Sequence, residues 1–201
     1  KLGFDGIGQA MSGAMYLSGA PGEPTKAYVP WVDFGTAANA AFATVAALYA
    51  RKATGRGQHV EASLLQTALT VSNAPLVEQQ LRKLDRVATG NRSQIAGPSD
   101  AFRTRDGWIL AQVIGQPLFE RWCGLVGEPE FRSDPRFESD ASRGENGVIL
   151  SERMARWCAE RTTRQALAEL DAANLPAGPV YSPAQAVDDP HVRQARILRD
   201  V

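Results

Sequence analysis

Apolar side chains recur at Leu118, Trp122 and Val126, and again at Leu150, Met154 and Trp157 with Arg161 closing the series. Spacing of three to four positions is that of a helix with one buried face. Ahead of these segments, Ala101–Thr104 and Trp108–Val113 flank Arg105-Asp106-Gly107. Asp-Gly between two apolar runs predicts a β-hairpin. Thr162-Thr163-Arg164-Gln165 has the form of a capping box before Leu167 and Leu170. Ser182-Pro183-Ala184-Gln185 repeats that form with proline at the first helical position, and Asp189-Pro190 opens a further helix. This half of the chain therefore predicts a small α+β unit.

The first half has a different texture. Small residues fill Gly3 to Gly22, and Pro21-Gly22-Glu23-Pro24 marks a turn. Tyr28–Val32 reads as a short apolar strand that ends at Asp33, with Asp33 as the N-cap of a helix from about Phe34 to about Lys52. The alanines of that helix predict close packing and burial, and Arg51 and Lys52 suit the negative end of its dipole. Gly55 or Gly57 offers the left-handed exit. His59–Leu64 alternates weakly, as a strand does, and a helix is expected from there to about Leu84. Strand, helix, strand, helix predicts a parallel α/β layer. The polar stretch Arg86–Ser99, with Gly90, Gly97 and Pro98, sets a boundary between residues 1–89 and 90–201.

Composition narrows the classes. The 201 residues carry 22 basic and 22 acidic side chains, so charge makes no case for nucleic acid or an anionic membrane as partner. No apolar run is long enough to span a bilayer. Two cysteines, Cys123 and Cys158, make neither a disulfide framework nor a metal-ligand spacing, which predicts a reducing, cytoplasmic setting, no metal and inert buried thiols. Lys1 stands where an initiator methionine would, and no signal peptide follows. Ile197–Val201 reads as a strand beginning. An internal piece of a longer protein is the expectation.

Few residues offer chemistry. Gly3-Phe4-Asp5-Gly6-Ile7-Gly8 lacks the spacing and the preceding strand of a phosphate loop. His59 and His191 have no triad partners and read as surface residues. Asp33 lies where an apolar segment meets a helix start, beside Gly35 and Thr36. Locally it reads as a cap. The same place suits a reactive carboxylate, because α/β folds put reactive groups beyond the carboxyl ends of strands.

Several segments, in order, resemble the class III coenzyme A transferases, the CaiB/BaiF family. They are Gly3-Phe4-Asp5 running to Gln9-Ala10-Met11-Ser12-Gly13, Val29-Pro30-Trp31-Val32-Asp33, and Arg51-Lys52-Ala53-Thr54-Gly55-Arg56-Gly57-Gln58-His59-Val60. Gly90-Asn91-Arg92, Phe102-Arg103-Thr104 with Asp106-Gly107-Trp108, Leu175-Pro176-Ala177-Gly178-Pro179-Val180 and Asp189-Pro190 follow. The resemblance covers nearly all of this chain and only the middle of the family, whose members are about twice as long.

The resemblance implies an α/β fold: part of a Rossmann-like large domain, then a small α+β domain, in a longer chain that forms an interlocked homodimer. It implies a CoA-transferase that moves coenzyme A from an acyl-CoA donor to a carboxylic acid acceptor, with no permanently bound cofactor. Asp33 falls on the family's nucleophilic aspartate, and backbone N–H groups near it are expected to stabilise the oxyanions. Lys1, Leu2, Gly3 and Phe4 match a segment that touches coenzyme A. Gln9 is expected at the substrate, and Gln94 to Pro98, with Gly97, matches a loop that closes over the site. The 2-methylacyl-CoA racemases share the Asp33 position but pair it with a histidine where this chain has Phe4, which moves no proton. A CoA-binding remnant without activity is the third reading. Alone, the chain is expected to leave apolar surface exposed.

Overall fold

The structure, a computed structural model, describes residues 2–195 and Leu198. Lys1 and most of the expected terminal strand, Ile197 and Arg199–Val201, lie outside the described residues. The chain divides into two compact units, Lys1–Gly90 and Asn91–Val201.

The first unit is helical throughout its regular structure: α1 (Asp5–Met11), α2 (Ala14–Leu17), α3 (Trp31–Thr54), α4 (Leu64–Val71) and α5 (Asn73–Arg82). The expected strand at Tyr28–Val32 is absent. Tyr28 and Val29 are exposed with no strand beside them, and Pro30 is the residue from which α3 starts. Asp33 is thus the third residue of the helix and not its cap. His59–Leu64 is likewise no strand. Ser63 is extended and its hydroxyl accepts the Gln66 N–H at 3.1 Å, which starts α4 at Leu64. The long helix expected beyond it breaks at Ser72. Pro75 explains the break: within a continuous helix its ring would meet the carbonyl of Val71, the last residue of α4. The parallel layer is therefore not found among the described residues.

Small residues set how these helices cross. A β-carbon on Gly8 of α1 would stand 3.0 Å from Val32 Cγ1, and one on Gly35 of α3 would stand 3.1 Å from Thr67 Cγ2 of α4. Asn39 Nδ2 donates to Thr67 Oγ1 at 3.3 Å. These contacts cover only the first turns of α3. The rest of the helix, expected to be buried, is open, with Phe42, Val45, Leu48 and Tyr49 all exposed. Gly55 ends it as expected, at φ +68°, with its N–H on the Arg51 carbonyl at 2.8 Å.

The second unit holds an antiparallel sheet in the order β1 (Ser99–Arg103), β2 (Trp108–Gln112), β3 (Ala177–Pro179). Arg103 faces Trp108 across the predicted hairpin. Along β2, Ile109 and Ala111 point inward while Trp108, Leu110 and Gln112 point out. On the sheet pack α8 (Gly147–Ala159) and α9 (Thr163–Ala172), α6 (Gln116–Val126) and α7 (Asp140–Glu145) pack on α8, and α10 (Pro183–Asp188) and α11 (Pro190–Gln194) follow. The core joins Phe102 and Ile109 to Phe119, Trp122, Val126, Leu150, Met154 and Trp157. Trp122 Nε1 donates to Met154 Sδ at 3.3 Å. The capping boxes at Thr162 and Ser182 both form, and Asp189 caps α11. Among the described residues no helix is long and apolar enough to cross a membrane.

Among the described residues of this unit one cation, Arg143, is buried. Arg143 donates to Asp140 Oδ1 at 2.8 Å, Gln116 Oε1 at 2.9 Å and the Phe137 carbonyl at 2.8 Å, and it stacks 4.5 Å over Phe119. Asp140 in turn accepts the Gly115 N–H. The network ties the α6 start to α7 and engages both terminal nitrogens of the guanidinium, while its buried Nε has no hydrogen-bond partner among the described residues.

Candidate active site

Asp33 stands exposed in the first turn of α3, and its carboxylate accepts no hydrogen bond among the described residues. Phe34, its neighbour, is exposed, and Trp31 is half-buried. The turn itself is held from below. Val32 is fully buried against Gly8, and Gly35 lies on Thr67.

A helix start leaves four N–H groups without partners in the helix. Here Pro30, at the N-cap, has no N–H, and the other three donors are all paired. Trp31 N–H meets the Val29 carbonyl at 2.9 Å, and Phe34 N–H makes the helix's own first bond, to the Pro30 carbonyl at 3.3 Å. Val32 and Asp33 donate to one oxygen, Asp5 Oδ2, at 2.8 and 3.2 Å. The expectation that amides beside Asp33 would serve an oxyanion is not met by this turn, because its donors are already engaged. Asp5 is the residue that sequence reasoning missed. An aspartate and a glutamine four apart on a short helix were the visible signal, and their target, 27 residues away, was not.

Gln9, expected at the substrate, is buried with both ends of its amide held. Its Nε2 donates to Asp5 Oδ1 at 2.5 Å, and its Oε1 accepts the Ala27 N–H at 2.9 Å. Leu2 and Phe4 are exposed, and with Gly3, Ile7, Met11 and Leu64 they border an apolar cavity of about 310 Å³ between α1 and the start of α4. Gly8 lines the same cavity and touches Val32, so the cavity and the Asp33 turn share a wall.

Gln94 and Gly97 belong to the second unit. Gly97 is buried, and a β-carbon on it would lie 2.9 Å from the Arg143 carbonyl oxygen. Pro98 and Ser99 beside it are buried as well. His59 is exposed and lies 3.6 Å from Glu61, while His191 is exposed on α11. Both cysteines are buried; burial pushes the Cys123 thiol up to about 11 and the Cys158 thiol up to about 12.

The chain matches the family described as CoA-transferase family III over residues 1–201. It is 32% identical over 193 residues to the succinyl-CoA–D-citramalate CoA-transferase of Chloroflexus aurantiacus, covering 95% of this chain and 48% of that protein. It is 32% identical over 206 residues to the succinate–glutarate CoA-transferase of Agrobacterium fabrum, covering 98% and 49%. Among solved structures it resembles a CaiB/BaiF family protein from Brucella suis, at a TM-score of 0.76 and 27% identity, over 96% of this chain and 52% of that one. A hypothetical protein from Mycobacterium tuberculosis gives a TM-score of 0.80 at 26% identity, over 98% and 52%. The chain thus spans about half the length of the curated relatives it matches.

Proposed function

This chain belongs to CoA-transferase family III, and from that premise we propose that the protein carrying it moves coenzyme A from an acyl-CoA donor to a carboxylic acid through covalent intermediates on Asp33. The observation that carries the reading is a carboxylate with no hydrogen-bond partner among the described residues, exposed on a helix turn whose backbone is fixed from beneath. A nucleophile needs an open lone pair and a rigid mount.

In the proposed cycle the Asp33 carboxylate attacks the thioester carbonyl. The C–S bond breaks, CoA leaves as thiolate, and a mixed anhydride remains. The thiolate attacks the aspartyl carbonyl and expels the donor's carboxylate, leaving an aspartyl-CoA thioester. The acceptor carboxylate attacks that thioester and releases the thiolate. The thiolate then attacks the acceptor's carbonyl in the new anhydride, which yields the new acyl-CoA and restores Asp33. No proton or redox equivalent is consumed. Oxyanion donors come from outside the α3 turn, since its amides are engaged.

The apolar cavity beside Leu2, Gly3 and Phe4 is the proposed seat of part of the acyl-CoA, with Lys1 next to it in sequence. Succinyl and other dicarboxylic acyl groups head the candidate donors, because the relatives named above act on them. The large domain is proposed to be Rossmann-like and the whole protein to form an interlocked homodimer. Phe4 in place of a histidine weighs against racemisation, which needs a second acid–base group.

The test uses the intact protein. It is incubated with acyl-CoA donors, succinyl-CoA first, quenched with hydroxylamine and mapped by mass spectrometry. A hydroxamate at Asp33, absent from Asp33→Ala, is the expected result. Exchange of the substrate's α-proton with solvent and no adduct would instead indicate a racemase.

A further inference from the structure

We propose that Asp5 is a positioning residue for the reaction: from α1 it caps the turn of α3 that carries the nucleophile. The proposal rests on the reading of Asp33 as nucleophile.

Helix α3 does not cap itself. Pro30, at its N-cap position, has no side chain able to accept a hydrogen bond. Asp5 supplies the missing acceptor, buried and 27 residues away in sequence from Val32. The direction of each hydrogen bond in this network follows from the donors around it. Ala27 N–H can only donate, so the Gln9 oxygen faces it. The Gln9 amide nitrogen therefore faces Asp5 and donates to Oδ1. Val32 and Asp33 N–H donate to Oδ2. Position 5 must accept on both oxygens, which a carboxylate does and a carboxamide does not.

The arrangement bears on chemistry as well as folding. One of the two N–H groups held by Asp5 is the nucleophile's own, so Asp5 fixes the Asp33 backbone directly. By occupying the turn's free donors, Asp5 also keeps them from Asp33's carboxylate, which stays open for attack. Displacement of a reacting group by about 1 Å costs roughly 100-fold in rate.

The network suggests its own rescue. In Asp5→Asn, the carboxamide oxygen can serve Val32 and Asp33, and the carboxamide nitrogen then needs an acceptor at position 9. A glutamate side chain there accepts from both that nitrogen and the Ala27 N–H, so Asp5→Asn with Gln9→Glu restores every hydrogen bond with the charge moved by one turn of α1. In the intact protein, steady-state rates with succinyl-CoA, or with whichever donor proves productive, are normalised to CoA-binding-competent protein measured by calorimetry. Asp5→Asn is expected to lower kcat by about 10- to 100-fold with KM within about threefold, and the double variant to recover to within about fivefold of the parent. A fall in folded protein alone would not move the normalised kcat.

Parental kcat in Asp5→Asn overturns the proposal, as does a double variant no better than the single one. Should Asp5→Asn fail to fold, the double variant decides: an active double variant supports the charge-swapped network, and one that is inactive or unfolded overturns it. Full activity in Asp33→Ala would sink the nucleophile reading itself. Loss of activity in Asp33→Ala beside parental kcat in Asp5→Asn would sink only the role of Asp5.

Discussion

The carbonyl oxygen of Gln94 stands 2.4 Å from the point that a β-carbon on Gly144 would occupy. Gln94's carbonyl carbon and the Ile95 nitrogen are nearly as close, at 2.6 and 2.8 Å. The segment that resembles an active-site loop is thus seated on α7, backbone against backbone, and only a residue without a side chain allows it. Gly97 repeats the arrangement against the Arg143 carbonyl.

Gly144→Ala should therefore lower the stability of this unit by about 1–3 kcal/mol, since backbone cannot swing aside as a side-chain tip can. Gly178→Ala is the control: nothing lies within 4 Å of its added carbon, and its effect should stay within about 0.5 kcal/mol. Thermal unfolding of the intact protein checks both. Equal melting temperatures for the two variants would show that the 94–98 segment yields freely.

Both thiols should resist alkylation in the native protein. Cys123 and Cys158 are fully buried, and with the thiols pushed up to about 11 and about 12 almost no thiolate forms near neutral pH. Iodoacetamide labelling followed by mass spectrometry should show neither site modified until denaturant is added, after which both should react. Native labelling at either site would contradict the packing of α6 and α8.

Acid should weaken the hairpin's tie to α9. Asp106 accepts the Thr163 N–H at 2.7 Å and its hydroxyl at 2.9 Å, and these bonds hold its carboxyl below the usual carboxylate range. The folded state then binds a proton less readily than the unfolded one. Its stabilisation is fully present above the unfolded value of about 3.9 and is lost as pH falls through the lower, folded value. Asp106→Asn should flatten the acid limb of a melting-temperature profile below about pH 4 and leave its shape near neutrality unchanged. An unaltered acid limb would show that Asp106 does not contribute to it.

What could be read from the sequence was local. The hairpin at Arg105-Asp106-Gly107, the capping boxes at Thr162 and Ser182 and the exit at Gly55 each depend on residues within a few positions of one another, and all form. The spacing of Trp122, Val126, Leu150 and Met154 also predicted the core correctly, because a helix face repeats at short range. Errors arose where a distant partner decides. Tyr28–Val32 has the composition of a strand, but a strand needs a neighbour, and none lies beside it among the described residues. The alanines of α3 suggested burial, whereas α1 and α4 reach only its first turns. Asp33 has the look of a cap because aspartate is a good one; the cap comes instead from Asp5, and no local pattern announces it. Pro75 was the exception, a local signal that splits α4 from α5 and was overlooked.

The borrowed cap on α3 has a consequence for biogenesis. A polypeptide leaves the ribosome N-terminus first. Asp5, Gln9 and Ala27, the three residues of the capping network outside α3, all precede Val32 in the chain. The receptor for the first turn of α3 has therefore been synthesised before that turn exists, and only the packing of α4 against it waits on residues translated later.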